Sequence, residues 1–600
     1  MKTDKNKPHS TQQAQVLLFK AAITGTTFFI SAIATSALTA HAQPAPLPDF
    51  SVPELLLQQQ RERELREHME SQPDVRLLER EQLLPEQIRI PDSETPCFNI
   101  EHIALEGELS ERFQWALQNI NHDKSGQRDP ALNRCLGEAG INVVMTRMQN
   151  AIIERGYTTT RVVAAPQDLN AGILTLTLIP GYIGQIRWSD ETLVRSERLT
   201  SWRTALPMRE GDLFNLRDLE QALEVLKRVP TAEADIQIEP GTEPGYSDLV
   251  ISWQQKLPIR LNLSIDDGGS RNTGRYQGAL TLSYDNWFTA NDLFYISVNH
   301  DLADSQGGGS HGYSLHYSIP MRGNWLLSFN TGKYSYDQSV AGINQRYNYS
   351  GDSTNADVTL SRAIYRNATQ RLSFYGKGWM RRSHNYIDDV EILVQRRRTA
   401  GWELGADYRH YLGNAILNAT LSYKRGTGVG KSLRAPEEAY DGGTSRMQIW
   451  NLNATLSIPL QIGEQRFRYY GNLRAQRNST NLIPQDQFSI GGRYTVRGFD
   501  GRTTLMGDRG WFIRNDIGWV IPTTNHELYT GIDFGHVSGP ATQYQIGQNL
   551  SGMVIGLRGG FSIINYGYFS YDTFVGMPIH KPDGFPTSKY TAGFNLNLSF

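Results

Sequence analysis

A long run of strictly alternating residues is the feature that most constrains this chain. From Leu257 to Phe600, apolar side chains recur at every second position, with Thr, Ser, Asn, Gly or charged residues between them. A period of two is that of a β-strand with one apolar face. The clearest runs are Leu261/Leu263/Ile265, Leu280/Leu282/Tyr284, Phe294/Ile296/Val298, Tyr313/Leu315/Tyr317, Trp325/Leu327/Phe329 and Tyr590/Ala592/Phe594/Leu596/Leu598/Phe600.

The length of this region favours a closed sheet in a membrane. A soluble sandwich also alternates, but it seldom exceeds about 250 residues as one domain. In a bilayer every backbone N–H and C=O must be bonded, so a sheet can cross only when it is closed. Residues 257–600, divided into strands of about 9–11 residues with short turns and long loops in alternation, suit about 16 strands. We predict a membrane β-barrel of 16 antiparallel strands, apolar outside and polar inside.

The N-terminus carries the features of an export signal. Four lysines and one aspartate precede an uncharged run, residues 21–40, which ends in Ala40-His41-Ala42. This small-x-small ending is typical of a signal-peptidase site, so residues 1–42 are interpreted as a cleaved signal peptide. A membrane anchor is the alternative, but Thr and Ser interrupt the run and two prolines follow it. The mature protein is therefore expected in the outer membrane of a Gram-negative cell.

Composition and motifs exclude several other classes. A mean hydropathy of -0.45 and the lack of a second long apolar run argue against a helical transporter. With 59 Lys+Arg against 61 Asp+Glu, the chain lacks the basic excess of nucleic-acid-binding proteins. The segment Gly426–Ser432 looks like a phosphate-binding loop, but Arg425 stands where that motif needs glycine. An alternating strand precedes it and no helix follows, so we predict neither nucleic acid nor nucleotide as a partner.

The two cysteines, Cys97 and Cys135, lie in the first half of the chain. In an oxidising compartment they most simply form one disulfide, which contributes about 3–4 kcal/mol by constraining the unfolded chain. Metal ligation or a nucleophilic thiol is the alternative, but neither ligand spacing nor a catalytic signature accompanies them. We therefore predict no metal and no cofactor.

A polar helix and a linker precede the first cysteine. Ser51-Val52-Pro53-Glu54 fits a capping box and predicts a helix that runs to about Ser71. After Leu55–Leu57 this segment is polar on every face, so it either bridges solvent or lies in a wet cavity; an exposed, partly frayed helix is equally compatible with the pattern. Residues 73–96 are rich in proline and charge and predict a linker.

Residues 97–256 contain one β-α-α-β-β pattern twice, although the first helix of the second copy is indistinct. Neither copy shows a convergent acid, base or metal constellation, so we do not expect an enzyme. Small modules of this kind commonly bind extended peptides at their sheet edges. A role as a mere spacer remains the alternative.

Two motifs interrupt the alternation of the C-terminal half. Val496-Arg497-Gly498-Phe499 forms a glycine-containing loop, and Gly531-Ile532-Asp533-Phe534-Gly535 places an acid within a strand. A charge that faces lipid is costly, so Asp533 is expected to face the lumen. Arg497 and Asp533 together predict a lumenal ion pair; two unrelated solvated charges are the alternative.

These motifs carry a family resemblance. Val496–Phe499 resembles the VRG(F/Y) loop tip of barrel-assembly and protein-translocating outer-membrane pores, and Gly531–Gly535 resembles their strand motif, whose Asp meets the loop Arg. Two further stretches, 211–220 and 240–249, are similar to the signatures of two-partner secretion transporters, the TpsB family. Their signature residues here are Gly211, Asp212, Asn215, Arg217, Leu219, Pro240, Gly241, Gly245, Ser247 and Asp248.

The resemblance implies a domain order and a function. It implies a signal peptide (1–42), a plug helix (43–72), a linker (73–96), POTRA 1 (97–182), POTRA 2 (183–256) and a 16-stranded barrel (257–600). Such a protein translocates one large unfolded exoprotein, a haemolysin, adhesin or contact-dependent inhibition toxin, whose N-terminal secretion domain binds the POTRA domains. The Arg497 loop would gate and brace the pore, and Phe600 would signal to the barrel-assembly machinery. A barrel-assembly insertase, which normally carries more POTRA repeats, and a general porin are the alternatives.

Overall fold

The computed structural model describes residues 51–70, 73–77, 89–123, 126–195, 200–303, 308–341, 345–563 and 567–600. The predicted signal peptide (1–42) and residues 43–50 of the predicted plug segment lie outside these ranges. The first described element is helix α1 (Ser51–Met69), which is already helical at Ser51.

POTRA 1 packs a small sheet against one helix and one 3₁₀ helix. Its elements are β1 (Phe98–Ile100), β2 (His102–Gly107), a 3₁₀ helix (Ser110–Asn121), β3 (Arg134–Leu136), α2 (Glu138–Glu154), β4 (Arg161–Val163) and β5 (Ile173–Ile179). The strand order is β2-β5-β4, and β1 pairs separately with β3. The core is apolar and includes Phe113, Met148 and Leu176. The first helix of the predicted β-α-α-β-β pattern is thus a 3₁₀ helix, and β3 was not part of that pattern.

POTRA 2 repeats the plan with a different first helical segment. Its elements are β6 (Tyr182–Trp188), α3 (Asp190–Arg195), α4 (Trp202–Ala205), α5 (Leu216–Leu226), β7 (Ala232–Pro240) and β8 (Tyr246–Gln255). The strand order is β6-β8-β7, and α5 covers the sheet through Leu219 and Leu223, which pack near the buried Trp253. The indistinct helix of the sequence pattern is thus two short helices, too short to show a helical period.

Sixteen long antiparallel strands close a barrel within the described residues, which confirms the predicted fold class. They are β9 (Ile259–Asp266), β10 (Tyr276–Asp285), β11 (Leu293–Ala303), β12 (Gly309–Met321), β13 (Trp325–Ala341), β14 (Arg346–Arg366), β15 (Gln370–Ile387), β17 (Arg397–Leu412), β18 (Ala415–Thr427), β19 (Gln448–Ile462), β20 (Gln465–Asn478), β23 (Arg509–Val520), β24 (Glu527–Ser538), β25 (Asn549–Ile563), β26 (Gly567–His580) and β27 (Thr591–Ser599).

Three short strands decorate the extracellular side. Strand β16 (Val390–Glu391) pairs with the end of β15 and extends it. Strand β21 (Phe488–Ile490) pairs with β22 (Leu505–Gly507) inside the loop between β20 and β23. The barrel closes where β27 pairs with β9. Phe600 extends this seam, because its N–H donates to the carbonyl of Leu261 (2.8 Å) and its carbonyl accepts from the N–H of Leu261 (3.2 Å).

Side-chain orientation follows the alternation. Leu263, Leu280 and Val298 stand opposite one another on adjacent strands and are 40%, 44% and 51% exposed on the outer face. Their neighbours Thr281 and Ser297 are buried toward the lumen and hydrogen-bond to each other (2.9 Å). None of the described helices is both long and apolar enough to cross a bilayer.

Candidate functional site: the plugged lumen and its inward loop

Helix α1 is bound to the inner wall of the barrel near the extracellular end. The carboxylate of Glu54 accepts hydrogen bonds from Ser270 Oγ (2.5 Å) and Thr273 Oγ1 (2.7 Å). About two turns further on, Arg61 donates to Gln277 Oε1 (3.1 Å). Glu54 therefore binds the barrel with the carboxylate that the predicted capping box assigned to the start of the helix.

The middle and the C-terminal end of α1 are bound further along the lumen, toward the periplasmic mouth. Glu62 accepts a hydrogen bond from Asn355 Nδ2 (3.1 Å), and Glu70 accepts one from the hydroxyl of Tyr295 (3.0 Å). His316 Nδ1 lies 3.1 Å from the same Glu70 carboxylate. All these wall residues belong to strands β10–β14 or the β9–β10 loop, so the helix is held on one side of the lumen.

Apolar contacts between α1 and the wall are few. Leu55 packs against the rings of Tyr334 and Tyr336, and Met69 packs against Leu293 and Tyr295. The remaining face of the helix is charged. The plug is therefore held mostly by polar groups that water can also satisfy.

A cavity of about 370 Å³ lies on the opposite side of α1. The helix contributes Gln59 and Arg63 to it, and the wall of β15–β18 contributes Lys377, Glu403 and Lys424. The lining is mainly polar, so this side of the lumen can hold water. The plug thus fills the lumen unevenly, with mainly polar contacts to one wall and a wet space on the other side.

The loop between β20 and β23 folds into the lumen around an apolar core of its own. Val496 and Phe499 are buried in a cluster with Ile490 and Phe585. Gly498 adopts φ +95°, and a Cβ there would lie 2.5 Å from the carbonyl oxygen of Met577. The loop tip can therefore approach the barrel wall this closely only with glycine at this position.

Arg497, at the tip of this loop, is bound by two acids and is 2% exposed. Asp533 Oδ2 accepts hydrogen bonds from its backbone N–H (2.9 Å) and its Nε (2.8 Å), while Oδ1 accepts one from Nη2 (2.8 Å). Asp516 Oδ1 lies 2.5 Å from the same Nη2. The structure thus brings together the two residues that the sequence motifs singled out and adds a second carboxylate.

Asp516 is the site residue that sequence reasoning missed. It lies on β23, directly opposite Gly531 of the strand motif. A Cβ at Gly531 would lie 2.4 Å from Asp516 Oδ1 and 2.7 Å from Arg497 Nη2, so this glycine makes room for the ion pair. The alternation of β23 could have shown that Asp516 faces the lumen, because it lies on the same side of the strand as Phe512. It could not show the strand register that brings Asp516 to Arg497.

The same loop is fixed to the seam of the barrel. Arg493 pairs with Asp267 and donates to the carbonyl of Phe594 (2.8 Å). Asp500 accepts a hydrogen bond from the hydroxyl of Ser588 (2.7 Å). The loop therefore connects the first strand, the last strand and the centre of the lumen.

The first POTRA 2 signature forms the turn before α5. Gly211 adopts φ +85°, and Asp212 accepts from the N–H of Arg209 (2.8 Å). Asn215 caps the helix by accepting from the N–H of Arg217 (2.8 Å), and Leu219 is fully buried in the core. These residues shape and anchor the helix.

The same turn joins the two POTRA domains. Asn215 Nδ2 donates to the carbonyl of Arg155 (3.3 Å), and the N–H of Leu216 donates to the carbonyl of Gly156 (2.8 Å). Burial raises the pKa of Asp218 to about 6, and the nearby charge of Asp212 adds to the effect.

The second signature shapes the β7–β8 hairpin. Gly241 donates to the carbonyl of Tyr246 (2.9 Å), while Gly245 adopts φ +85°. Ser247 stands opposite Pro240 in the hairpin ladder.

Asp248 completes this signature. It accepts from the N–H of Gln185 (2.8 Å), where a Cβ on Gly184 would come within 2.1 Å of the carboxylate. All ten signature positions therefore lie in turns, caps and core, and they do not converge on one cleft.

POTRA 2 is connected to the barrel through α5. Arg366 Nε lies 3.1 Å from Glu220 Oε2, and its Nη2 lies 2.9 Å from Glu224 Oε1. Arg371 Nη1 lies 2.6 Å from the second oxygen of Glu224. All four side chains are largely buried.

The predicted linker passes through this junction. The carbonyl of Val75 accepts from Arg366 Nη2 (2.6 Å), and the N–H of Leu77 donates to Glu220 Oε1 (2.9 Å). We call the set Val75, Leu77, Glu220, Glu224, Arg366 and Arg371 the periplasmic latch. No sequence pattern indicated the periplasmic latch. Two acids on one helix and two arginines beside one β-turn have the pattern of ordinary surface charges.

Cys97 and Cys135 are joined by a disulfide that ties the end of the linker to β3. Glu94, just before it, accepts from the N–H groups of Gly137, Ala139 and Gly140 at the start of α2. Among the described residues, no group of three or more His, Cys, Asp or Glu side chains is arranged to hold a metal ion.

The segment that looks like a phosphate-binding loop lies at an extracellular strand end. Thr427 ends β18, and a single 3₁₀ turn (Val429–Lys431) follows it. A phosphate-binding loop needs the N-terminus of a helix, which this turn does not supply.

Comparison with protein families identifies the fold and its use. Residues 245–559 match the model described as "Haemolysin secretion/activation protein ShlB/FhaC/HecB". This chain belongs to that family. Residues 98–181 match a POTRA domain of ShlB type and residues 182–240 a further POTRA domain. It is therefore an outer-membrane transporter of two-partner secretion, with its POTRA domains in the periplasm and a two-partner secretion exoprotein as its partner.

Individual relatives agree with this assignment. The transporter is 35% identical over 587 residues to the outer membrane transporter CdiB-2 of Burkholderia pseudomallei, covering 94% of this chain and 97% of the relative. It is 25% identical to the haemolysin transporter protein ShlB of Serratia marcescens, over 64% of this chain and 67% of that one. The structure of CdiB from Acinetobacter baumannii superposes with a TM-score of 0.79 at 30% identity, covering 93% of this transporter and all of CdiB.

Proposed function

We propose that this transporter exports one large exoprotein of the contact-dependent inhibition type and that helix α1 closes the pore between export events. The observation that carries the proposal is the composition of the lumen: a helix bound mainly through polar contacts beside a wet cavity. Polar contacts of this kind exchange with water at little net cost. The plug can therefore leave the lumen and return without breaking a dry core. The relatives named CdiB favour this passenger type over a haemolysin or an adhesin.

The POTRA domains would receive the passenger's N-terminal secretion domain in the periplasm. The outer strands of the two sheets are β2 and β4 in POTRA 1 and β6 and β7 in POTRA 2. Residues 211–214 already pair with the first half of β6, which leaves β2, β4 and β7 as the candidate edges. An extended peptide can add to such an edge through backbone hydrogen bonds. The residues of the POTRA 2 signature would hold the edges in position and would not contact the passenger.

Arg497, Asp533 and the loop around them would brace the pore while the chain passes. The loop connects the seam to the lumenal wall through Arg493 and Asp500, so it stiffens the barrel on the side where β9 and β27 close. Export would use no nucleotide. Folding of the passenger outside the cell would drive it instead. Phe600, at the end of the seam, would be presented to the barrel-assembly machinery during biogenesis.

Secretion by a loop variant tests the proposal. We expect Arg497→Ala to leave the barrel inserted, because the loop keeps its apolar core, but to reduce secretion of the cognate exoprotein at least tenfold. Secreted exoprotein and heat-modifiable barrel are measured in the same cells. The matched control is Arg502→Ala, in the same loop, whose side chain is half-exposed and pairs with Asp500.

Two outcomes would contradict the proposal. Normal export by the Arg497 variant would remove the loop from the mechanism. Failure of the passenger's N-terminal fragment to bind residues 97–256 of the intact transporter would favour a general porin, which has no need of a periplasmic receptor. Rescue of other barrels' assembly by this protein would favour an insertase.

A further inference from the structure

A row of basic side chains lies on the outer face of the barrel near its extracellular end. Strand parity fixes their orientation: on β15, Arg382 shares the outward face with Phe374, which is 49% exposed, while Lys377 faces the lumenal cavity. On the neighbouring strands, too, the basic residues stand on the same side as exposed side chains such as Leu404, Leu421 and Trp450. We call this row the basic rim; its members are Lys333, Arg382, Arg398, Arg425, Arg477 and Arg509.

Within the basic rim, like charges are neighbours. Arg382 stands directly opposite Arg398 on β17 and opposite Thr354 on β14, which in turn stands opposite Lys333. Like charges in directly opposed positions destabilise a sheet unless an anion lies between them.

The nearby acids do not supply that anion. Asp352 lies 3.5 Å from His384, and Glu391 pairs with Arg396. Glu437 is taken up by Arg397, the lumenal neighbour of Arg398. The Nε of Arg398 is itself buried without a hydrogen-bond partner among the described residues. Within the described part of the chain no acid pairs with Arg382 or Arg398, so a counter-charge from outside that part is expected.

Aromatic residues place the rim at the height of the lipid headgroups. Trp402 stands opposite Arg425, and Trp450 stands opposite Arg477. Tyr423 connects the two tryptophans, with ring centroids 5.7 and 4.9 Å away. Outward tryptophan and tyrosine rings mark the boundary between hydrocarbon and headgroups. Exposed leucines continue the face toward the periplasm, so the basic side chains lie at the polar edge of the outer leaflet.

We propose that the basic rim binds the phosphate groups of lipopolysaccharide, the glycolipid of the outer leaflet. Guanidinium groups present a planar fork that matches phosphate oxygens in a bidentate fashion. Arg382 and Arg398, on adjacent strands about 5 Å apart, suit one phosphorylated headgroup. The surface continues the lipid-facing band, which argues for a lipid over a soluble phosphate ligand. Bound lipopolysaccharide would neutralise the rim and fix the depth of strands β13–β23 in the membrane.

Titration of the purified full-length transporter in neutral detergent tests the proposal. The probes are lipopolysaccharide, the same material after enzymatic removal of its phosphates, and phosphatidylglycerol. We expect wild-type protein to bind lipopolysaccharide and the paired variant Arg382→Gln/Arg398→Gln to bind it about 25-fold more weakly, at about fivefold per cation, which corresponds to about 1 kcal/mol each. Dephosphorylated lipopolysaccharide is expected to bind wild-type protein at least tenfold more weakly.

The matched control is Arg362→Gln. Arg362 also faces outward on β14, but at the periplasmic end, where it stacks on Trp325 with 4.9 Å to the ring centroid. This variant should retain wild-type affinity. Unchanged binding by the paired variant would overturn the proposal, as would equal binding of the dephosphorylated probe or equal competition by phosphatidylglycerol. The wild-type comparison of the two lipopolysaccharide forms decides the matter even if the paired variant fails to fold.

Discussion

At the scale of single residues, the charge balance at the loop tip defines the site. A buried guanidinium is costly unless its hydrogen bonds and its charge are both satisfied. Arg497 meets this condition with two carboxylates from two adjacent strands, and Gly531 leaves the space between them. The loop is therefore fixed by one side chain as well as by its apolar core.

The two carboxylates should not be equivalent. Asp533 accepts three hydrogen bonds from Arg497, including one from the backbone. Asp516 accepts two from the guanidinium, one of which is long (3.4 Å). We expect Asp533→Asn to lower the temperature at which the barrel unfolds in detergent more than Asp516→Asn does. Breaking one partner of a buried ion pair typically costs about 3–5 kcal/mol. Heat-modifiability on gels measures the difference.

The same measurement on a variant away from the loop serves as the control. Asp352→Asn, on the outer face of β14, should leave the transition temperature within the error of wild type. A larger effect of Asp516→Asn than of Asp533→Asn would show that the second acid carries the loop.

The sequence predicted the Arg497–Asp533 pair because both residues belong to short motifs with glycines at fixed positions. It did not predict Asp516, which has no motif of its own. An alternating strand says which face a residue takes but not which residue of the next strand it meets. The latch arginines were missed for the same reason, since their partners lie almost 150 positions away in the chain.

At the scale of elements, α1 is held mainly by polar contacts, whereas a helix in a protein core is held mainly by buried apolar side chains. Burial of one large aliphatic side chain contributes about 1.5–3 kcal/mol. Leu55 and Met69 sit in small buried apolar clusters with the wall, and Leu65 packs beside Met69. The hydrogen bonds of Glu54, Arg61 and Glu70 specify the orientation of the helix more than its affinity.

Deletion of residues 43–72 should therefore open the pore. We expect single-channel conductance in planar bilayers to rise severalfold, because the helix fills the lumen next to a wet cavity. The paired variant Glu54→Gln/Arg61→Gln, which keeps the helix but weakens its contacts, should open more often with the same full conductance. Gln59→Ala, facing the cavity, serves as control. An unchanged conductance after the deletion would assign the helix a role other than closure.

Elements with many periods were predictable and short ones were not. The barrel strands alternate over eight residues or more. The approximate number of strands and the side of the sheet that each side chain takes therefore followed from the sequence pattern. The three-residue β3 and the short helices α3 and α4 have too few residues to show a period, and tertiary contacts decide their form.

At the scale of the whole molecule, the periplasmic latch couples three parts that the sequence treats as separate. One cluster of ion pairs holds POTRA 2, the barrel and the linker together. Its acids lie on the same helix that carries the POTRA 2 signature. Movement of POTRA 2 during passenger binding would therefore loosen the linker.

Removal of the latch arginine should loosen POTRA 2 on the barrel, where hydrogen bonds such as Thr231–Asp285 (3.0 Å) and Gln221–Gly323 (2.9 Å) still bind it. We expect Arg366→Ala to broaden the distance distribution between spin labels at Val194→Cys in POTRA 2 and Leu393→Cys in the barrel, measured by pulsed electron paramagnetic resonance. The native cysteines are joined in a disulfide and do not compete for the label. Arg362→Ala, on the same strand but facing outward, should leave the distribution narrow. Identical distributions in both variants would show that other contacts fix the domain.

The position of the latch also sets how far the plug can travel. While Val75 is held, the few residues after Met69 span less than about 20 Å, which is shorter than the roughly 28 Å length of α1. Once the latch opens, the next anchor among the described residues is Ile90, in the core of POTRA 1. The segment between Met69 and Ile90 is about 20 residues long. That length lets the helix clear the pore yet keeps it at a millimolar effective concentration beside its own binding site. The pore is then resealed by a unimolecular reaction, at a rate that does not depend on how many copies the cell makes.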